Sequence, residues 1–347
     1  MVALSVPLLQ VEGLTKHFET PRGWLSGRPA ESVRAVDGVS FSVAAGETLA
    51  IVGESGCGKT TTARLVLQLL KPTAGSVRVD GRELVGLGRR EMKIIRRDMQ
   101  VVFQDPYASL NPRRTVEQIA AEPLVVHNVG VDTHERRQLI GELLVKVGLS
   151  PELMQRFPRQ FSGGQRQRIS IARALALRPK LIIADEPVSA LDVSVRAQII
   201  NLMEDLQREF GLSYLFIAHD LAVVRHFAHR TAVMYLGRII EEGATERIFS
   251  APHHPYTEAL LSAVPVPDPK AKRQRIVLSG DPPSPKAVPP GCRFHTRCPI
   301  VQPRCRTDDP MLRPVREGQS AACHFASPFP IRGEAPRAIA VPAITLP

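Results

Sequence analysis

The sequence lacks the features typical of integral membrane proteins, of disulfide-rich secreted domains and of proteins with a secretory peptide. None of its apolar runs reaches the roughly 18 to 20 residues that span a bilayer, which argues against an integral membrane protein. Cysteine is scarce, with 5 in 347 residues, and this excludes the disulfide scaffold of small secreted domains. The opening segment MVALSVPLLQVEG has no basic leader, long apolar core or cleavage signal, so we do not expect a secretory peptide.

The composition is that of a globular protein with a basic surface. Hydrophobic residues make up 44% of the chain and charged residues 23%, which is enough for one large or two modest domains. The 45 Lys and Arg exceed the 34 Asp and Glu, giving a formal net charge of +11. Such an excess favours an anionic partner, either a nucleotide, a nucleic acid or an acidic lipid surface.

Proline is unevenly distributed. Of the 30 prolines, 11 precede residue 252 and 19 lie from Pro252 onward. Because proline fixes φ and lacks an N–H donor, the later part is not expected to form long helices or central strands. We therefore predict a compact body with a boundary near residues 252–265, a proline-rich appendage after it, and a poorly ordered tail from about Ser327.

Within the body, short apolar runs alternate with segments of helical spacing. The runs at 48–53, 99–104, 180–185 and 213–219 read as buried strands, and the segments at 61–70, 164–177 and 195–210 read as helices. Continuous apolar runs are typical of parallel strands that helices cover on both faces. The predicted fold class is α/β.

A phosphate-binding loop follows the first of these strands. Residues 53–60 read GESGCGKT and fit the pattern G-x-x-x-x-G-K-[ST], between a strand and a helix. Its backbone N–H groups can surround phosphate oxygens, Lys59 can reach the β- and γ-phosphates, and the Thr60 hydroxyl can bind Mg²⁺. Cys57 is interpreted as a small tolerated residue and not as a reactive thiol. The candidate nucleotide-binding residues here are Gly53, Glu54, Ser55, Gly56, Cys57, Gly58, Lys59, Thr60 and Thr61.

Two carboxylates end the strand KLIIADEP at 180–187. Asp185, at the strand tip, is predicted to lie beside the Mg²⁺ that Thr60 binds. Glu186 is then the candidate general base, or water-orienting group, for attack on the γ-phosphate. An Asp–Glu pair after an apolar run is common, and it becomes informative here because a phosphate-binding loop precedes it.

A third motif indicates the family. The segment FSGGQRQRISIARAL at 161–175 resembles the signature of ATP-binding-cassette (ABC) ATPases. In that family the signature reaches across a dimer to the phosphate-binding loop of the other subunit, so that two nucleotides join two cassettes. The resemblance implies that the start of this helix contacts ATP through Ser162, Gly163, Gly164 and Gln165.

Other elements of the family occur in the expected order. Gln104, in VVFQDP, resembles the glutamine that touches the metal and couples to the transmembrane partner. SALD at 189–192 resembles the D-loop, and His219, in LFIAHD, resembles the histidine that contacts the γ-phosphate. Phe18, in LTKHF, matches the aromatic position that stacks on adenine, with His17 as an alternative.

The resemblance covers residues 8 to about 265 and implies a P-loop NTPase fold. We expect a RecA-like core, an antiparallel β subdomain and a helical subdomain over 8–262. A small Cys- and Pro-rich extension over 263–326 and a disordered tail over 327–347 would follow. Because every chemical position of the family is filled, hydrolytic competence is predicted, against the alternative of a non-hydrolysing scaffold.

Several segments resemble one branch of the family. FQDPYASLNPR at 103–113, HPYTEALLSAVP at 254–265 and the signature resemble the ATPases of oligopeptide and dipeptide importers, a branch that includes nickel importers. The loop VGESGCGKTTTARL and the insertion between Phe18 and Val36, with Trp24, resemble the F-type subunit. The branch implies a heterodimer with a paralogous ATP-binding subunit, two transmembrane permease subunits and an extracellular or periplasmic substrate-binding protein. The chain would then lie peripherally on the cytoplasmic face of the cell membrane.

The extension contains four cysteines in a C-x5-C-x6-C-x17-C spacing: Cys292, Cys298, Cys305 and Cys323. Four thiols in a chain without secretory features favour metal binding over disulfides. Zinc more often uses C-x₂₋₄-C pairs, whereas iron–sulfur clusters are also held by four thiolates. The family resemblance implies a 4Fe–4S cluster, with Zn²⁺ and reduced structural cysteines as alternatives. The neighbouring histidines are expected to be solvated; they are His253, His254, His295 and His324.

Two basic runs raise the question of nucleic acid. They are Arg89, Arg90, Arg96 and Arg97 in a helical segment, and Lys270, Lys272, Arg273 and Arg275 in a linker. Neither adjoins a nucleic-acid-binding motif, and attraction to anionic lipid accounts for them equally well. Without a nucleic-acid motif, the predicted function is the one that the branch resemblance implies, which is peptide import. The alternatives are import of nickel or another small solute, and a soluble ABC ATPase that acts on nucleic acid or the ribosome.

Overall fold

The computed structural model describes residues 6–19, 32–130, 132–264 and 275–328. The insertion with Trp24, the lysines of the linker run and most of the expected tail lie outside these ranges. The strands are β1 (Leu9–Glu19), β2 (Ser32–Val43), β3 (Thr48–Val52), β4 (Ala74–Val79), β5 (Arg82–Glu83), β6 (Met99–Val102), β7 (Leu181–Asp185), β8 (Ser213–Ala218), β9 (Arg230–Tyr235), β10 (Arg238–Ala244), β11 (Arg313–Arg316) and β12 (Gln319–Ala321).

The helices connect these strands, mostly on the two faces of the larger sheet. They are α1 (Lys59–Val66), α2 (Arg89–Asp98), α3 (Pro106–Ser109), α4 (Val116–His127), α5 (Thr133–Lys146), α6 (Gly163–Leu175), α7 (Val193–Phe210), α8 (Leu221–Phe227), α9 (Thr245–Ser250), α10 (Pro255–Ser262) and α11 (Pro303–Thr307). Short 3₁₀ turns at Pro151–Gln155 and Pro158–Gln160 precede α6. Among the helices of the described ranges, none combines the length and apolar composition needed to cross a bilayer.

The strands form two sheets. An eight-stranded sheet has the order β11-β12-β10-β9-β3-β8-β7-β6, and a four-stranded antiparallel sheet has the order β2-β1-β4-β5. In the larger sheet β9, β3, β8, β7 and β6 are parallel to one another. The predicted α/β class is confirmed, and so are the antiparallel β subdomain and the helical subdomain that α3–α6 form.

The larger sheet has a separate core on each face, because successive side chains of a strand point to opposite sides. In β3, Leu49 and Ile51 pack into the core that also contains β1 and α1, while Ala50 and Val52 pack into the core that contains α4–α7. β7 and β8 alternate in the same way. This two-sided burial explains why these strands appear in the sequence as uninterrupted apolar runs.

The sequence-predicted elements correspond to observed ones within a few residues. α6 and α7 match the segments predicted at 164–177 and 195–210. The largest difference concerns α1, which begins at Lys59 and ends at Val66, whereas a helix over 61–70 was expected. The helix starts earlier because Gly58, with φ +110°, allows the phosphate-binding loop to turn directly into it. It stops at Val66 because Gln68 adopts a left-handed conformation with φ +52°.

The C-terminal segment is built onto the body. β12 pairs with β10 and extends the larger sheet, and β11 forms the outer edge. Pro314 lies in this edge strand, where a missing N–H donor costs least. After residue 264 the longest helix in the described ranges has five residues, in accord with the proline content. The boundary at 262/263 itself stays a prediction.

Candidate functional site

The sequence-predicted catalytic residues meet at one edge of the larger sheet. The phosphate-binding loop follows β3, Gln104 follows β6, Asp185 ends β7 and His219 follows β8. These four strands are parallel neighbours, so their carboxyl ends open to the same crevice. The topology therefore gathers residues that are up to 166 positions apart, between Gly53 and His219.

The phosphate-binding loop requires glycine at two close contacts. Gly53 has φ +154°, and a Cβ there would lie 2.2 Å from the Met234 carbonyl oxygen. Gly58 has φ +110°, and a Cβ there would lie 2.3 Å from the Ala35 carbonyl oxygen. The loop is thus wedged between β9 and β2, and only glycine permits both the conformation and the approach.

Lys59 lies at the start of α1 and is 4% exposed. Its ammonium group donates to the carbonyl oxygens of Gly53 (2.8 Å) and Glu54 (3.0 Å). The loop thereby folds around the positive charge that is predicted to face the phosphates. The N-terminus of α1 adds the positive end of its helix dipole at the same place.

Thr60 and Asp185 form the candidate magnesium site. The Thr60 hydroxyl donates to Asp185 Oδ1 across 3.1 Å, so the two candidate oxygen ligands stand together. Asp185 is 6% exposed, and burial raises the pKa of its carboxyl group. Mg²⁺ usually binds only one or two oxygen ligands from the protein, and phosphate oxygens and water complete its coordination. The donor set fits this ion.

Glu186 contacts both other predicted catalytic residues. Its Oε2 accepts from Gln104 Nε2 (3.1 Å) and lies 3.0 Å from His219 Nδ1. Glu186 has φ +47°, a left-handed conformation that costs energy in a residue with a Cβ. Ser189, in the predicted D-loop, donates from its hydroxyl to the Glu186 carbonyl oxygen (3.0 Å) and helps to hold this turn. The predicted cluster of Gln104, Glu186 and His219 is therefore assembled in the structure.

A cleft of about 490 Å³ opens in front of these groups. Its lining residues are Val33, Ala35, Ser55, Gly56, Gly58, Lys59, Thr60, Thr61, Gln104, Glu186, His219 and Pro285. Three of them escaped the sequence analysis: Val33 and Ala35 lie on β2 without a motif, and Pro285 comes from the C-terminal segment. The strand pattern of 32–43 could have indicated the first two, but no local signal indicates Pro285.

Four of the predicted nucleotide-binding residues lie behind or beside this cleft. Gly53 and Glu54 contribute carbonyl oxygens to Lys59. Cys57 is 5% exposed and burial raises the pKa of its thiol, which agrees with the prediction that it is not a reactive group. Phe18 is 40% exposed and pairs in register with Val33, with the Lys16 ammonium 5.1 Å from its ring centroid. His17, the alternative, is hydrogen-bonded to Asp37 (3.1 Å).

The signature segment forms the start of α6. Ser162 is the N-cap: its hydroxyl accepts from Gln165 N–H (3.3 Å), and Gln165 Oε1 accepts from Ser162 N–H (3.0 Å). Gly164 is required by packing, since a Cβ there would lie 2.4 Å from Val195 Cγ1. In the described part of the chain, the cleft residues do not include Ser162, Gly163, Gly164 or Gln165. One chain alone therefore does not bring the signature to its own phosphate-binding loop.

The four cysteines of the extension line a single pocket. All are free thiols. Burial, together with the neighbouring sulfur atoms, raises the pKa of Cys292 to about 12 and that of Cys298 to about 11. Within the residues that the structure describes, however, no three Cys, His, Asp or Glu side chains are grouped closely enough to hold a metal ion. The four cysteines thus share one pocket, but the described side chains do not form a group of metal ligands.

The expectation of solvated histidines is wrong at two positions. His253 is 3% and His254 1% exposed. His254 Nδ1 accepts from Tyr256 N–H (3.1 Å) and so caps α10, and its ring packs 5.5 Å from that of Phe294. Burial lowers the pKa of His254 to about 3. The proline-rich segment covers this turn, which the loop-like sequence does not reveal.

Two family models match the chain. The ABC transporter model matches residues 36–189, which contain the phosphate-binding loop, the signature and Glu186. The model of the oligopeptide/dipeptide transporter C-terminal region matches residues 240–305. The second match begins upstream of the predicted boundary at 262/263 and includes Cys292, Cys298 and Cys305.

Curated relatives resemble the chain over almost its full length. It is 54% identical to the probable peptide ABC transporter ATP-binding protein y4tS of Sinorhizobium fredii, over 97% of this chain and 95% of that protein. It is 51% identical to the oligopeptide transport ATP-binding protein AppF of Bacillus subtilis, over 92% of this chain and 98% of that protein. A dimeric post-hydrolysis structure of the ATP-binding cassette MJ0796, bound to ADP and Pi, has a TM-score of 0.61 at 32% identity, over 68% of this chain and 98% of that chain.

Proposed function

The chain belongs to the ABC-transporter ATP-binding proteins of the oligopeptide and dipeptide class, and from this premise we propose that it hydrolyses ATP to power peptide import. The observation that carries the proposal is the cleft at the carboxyl ends of β3, β8, β7 and β6. There the phosphate-binding loop, Thr60 and the Glu186 carboxylate line one space, and Thr60 is hydrogen-bonded to the buried Asp185.

In this proposal the phosphate-binding loop binds the triphosphate. Ser55, Gly56 and Gly58 border the cleft, and backbone N–H groups of such a loop can donate to phosphate oxygens. Lys59 supplies a buried positive charge at the same place, and transfer of the γ-phosphoryl group depends on such charge neutralisation more than on covalent chemistry. Val33, Ala35 and Pro285 would border the rest of the nucleotide, with Phe18 as the aromatic candidate for adenine.

Thr60, Asp185 and Gln104 are proposed to hold the magnesium ion. When bound, Mg²⁺ neutralises charge on the β- and γ-phosphates. The Thr60 hydroxyl, now engaged with Asp185, would turn its oxygen toward the ion. Gln104 donates to Glu186 through its amide nitrogen, which leaves its amide oxygen as a ligand for the ion.

Glu186 is the proposed base. An attacking water needs an acceptor for its proton and a fixed position in line with the leaving group. The Glu186 carboxylate is an acceptor at the cleft wall, and His219 and Gln104 fix its orientation from two sides. His219 is half exposed toward the cleft and is placed to contact the γ-phosphate from the end of β8.

The complete site is proposed to need a second cassette. The signature residues cap α6 outside the cleft of their own chain, which supports completion in trans by a paralogous subunit. We infer that the permease pair binds to the surface around Gln104, which is exposed, and that a substrate-binding protein acts through that pair. The chain would then lie on the cytoplasmic face of the membrane, as an F-type subunit. Residues 8–262 would be the ATPase domain and 263–326 its extension.

For the four cysteines we propose a 4Fe–4S cluster, with Zn²⁺ as the alternative. Their convergence on one pocket supports a shared ligand, and a metal could stabilise a segment too rich in proline to build a large core. Iron and sulfide analysis of anaerobically purified chain tests this. A stoichiometric cluster that disappears in Cys292→Ser supports it. Bound zinc would favour the alternative, and metal-free protein would refute both.

Peptide-stimulated hydrolysis tests the function as a whole. The chain is purified with its permeases and paralogous subunit, and phosphate release is followed with the substrate-binding protein added empty, loaded with a short peptide, or loaded with Ni²⁺. We expect stimulation by the peptide-loaded form. Stimulation by the nickel-loaded form alone would show that the transported substrate is nickel and not peptide. Stimulation by ribosomes or DNA would show that the chain acts on nucleic acid or the ribosome and not in import.

A further inference from the structure

We propose that Arg297 is a positioning residue of the nucleotide site, through which the cysteine-bearing segment sets the conformation of the phosphate-binding loop. This inference rests on the proposed function, because it assigns the extension a part in ATP binding. Arg297 directly precedes Cys298 and is separated from Glu54 by 243 positions in the chain.

The contact between Arg297 and Glu54 is two-pronged. Nη1 donates to Glu54 Oε2 (2.9 Å) and Nη2 donates to Glu54 Oε1 (3.2 Å). The Arg297 side chain is 7% exposed and that of Glu54 29%. A bidentate pair fixes the carboxylate in orientation as well as in position, and its burial protects it from screening by salt.

Glu54 passes this constraint to the phosphate-binding lysine. It is the second residue of the loop, and its carbonyl oxygen accepts from Lys59 Nζ (3.0 Å). Its backbone N–H donates to the Tyr256 hydroxyl (2.9 Å). The side chain, the N–H and the carbonyl of Glu54 are therefore all hydrogen-bonded. Glu54, which directly precedes Ser55 and Gly56, cannot move independently of Arg297.

A second part of the extension reaches the same cleft. Pro285 lines it, and its carbonyl oxygen accepts from Arg34 N–H (3.1 Å), next to Ala35. Phe294 packs against the ring of Tyr256 at 5.5 Å, behind Glu54. The extension thus contacts the loop and the β2 wall of the cleft, and it is not a remote appendage.

Arg297 is not among the residues that line the cleft, so it acts through Glu54. Loss of the pair is expected to loosen the loop in the free protein and to weaken ATP binding, while the groups around Glu186 stay in place. The ATP concentration for half-maximal hydrolysis should rise about tenfold, as expected for loss of one charge-assisted contact, with kcat changed by less than about twofold.

The test uses the full chain in its transporter complex, with Mg-ATP as the ligand. Arg297→Gln and Glu54→Gln break the pair from opposite sides. The double variant should be no worse than either single, because the two residues act as a unit. The matched control is Arg304→Gln, which removes another arginine–carboxylate pair of the same segment, the exposed Arg304–Asp308 pair, and should leave ATP affinity unchanged.

The outcomes separate this inference from the proposed function. If Arg297→Gln does not fold, Glu54→Gln decides, since it keeps the arginine. Wild-type ATP affinity in the folded single variants, or additive effects in the double variant, would overturn the role of Arg297 while leaving the ATPase assignment intact. A wild-type complex that neither binds nor hydrolyses ATP would overturn both.

Discussion

Replacement of Glu186 by glutamine isolates the proposed base from the rest of the site. The amide is nearly the size of the carboxylate, and its oxygen can still accept from Gln104 Nε2 and His219, which lie 3.1 and 3.0 Å from Glu186 Oε2. The left-handed backbone at φ +47° is equally accessible to Gln. What the variant loses is a group that can take a proton from water.

We expect a large decrease in kcat and a small change in the affinity for ATP. General-base catalysis contributes about 10² to 10⁴-fold, so kcat should fall at least about 10²-fold, equivalent to about 2.7 kcal/mol in the barrier. The affinity for ATP should stay within about threefold, since Glu186 neutralises no phosphate charge. Phosphate release by the purified complex and equilibrium ATP binding measure the two quantities.

A surface substitution of the same kind serves as the control. Glu209, in the last turn of α7, is 44% exposed and pairs with Lys146, so Glu209→Gln should retain full activity. Hydrolysis by Glu186→Gln at the wild-type rate would refute the assignment of the base. A parallel loss of ATP binding would instead show that Glu186 holds the nucleotide.

Three other substitutions probe the binding elements. Lys59→Ala should lower ATP affinity at least about tenfold, because it removes the charge that we propose faces the phosphates; nucleotide titration measures this. Gly58→Ala should also lose ATP binding, since its Cβ would lie 2.3 Å from the Ala35 carbonyl oxygen. Gly46→Ala, at φ +74° with open space around it, is the control for backbone strain alone. Ser162→Ala should cost about 1 kcal/mol of unfolding free energy through the lost N-cap, and should slow hydrolysis in the assembled complex.

Each of these has an outcome that speaks against it. Unchanged titration curves for Lys59→Ala would show that Lys59 does not contact the phosphates. Equal behaviour of the Gly58 and Gly46 variants would mean that the close approach to β2 does not matter. Normal hydrolysis by a complex with a destabilised Ser162→Ala chain would leave the signature with a capping role only.

The parts of the site that could be predicted from the sequence are those whose residues lie within short motifs. The phosphate-binding loop, Glu186, Gln104 and His219 each follow a strand of the larger sheet, and Asp185 ends one. Parallel strands bring their carboxyl ends to one edge. Knowledge of strand order was not needed to foresee this convergence. Apolar runs likewise predicted β3, β7 and β8, because residues buried on both faces leave no polar alternation.

The parts that were not foreseen depend on contacts between distant segments. Arg297 meets Glu54 across 243 positions, and Pro285 reaches the cleft from a segment that the proline content marks only as irregular. His254 has a loop-like sequence context, yet the C-terminal segment buries it. No local pattern encodes such contacts, since each needs the tertiary arrangement of two elements.

Uptake of labelled peptide by vesicles is the most direct test of the central claim. The chain, its paralogous subunit and the permeases are reconstituted with the binding protein on the opposite side, and ATP with Mg²⁺ is supplied on the side of this chain. The account predicts accumulation of peptide that requires ATP and Mg²⁺ together and that ceases with Glu186→Gln. Accumulation at the same rate without ATP, or with Glu186→Gln in this chain, would contradict it.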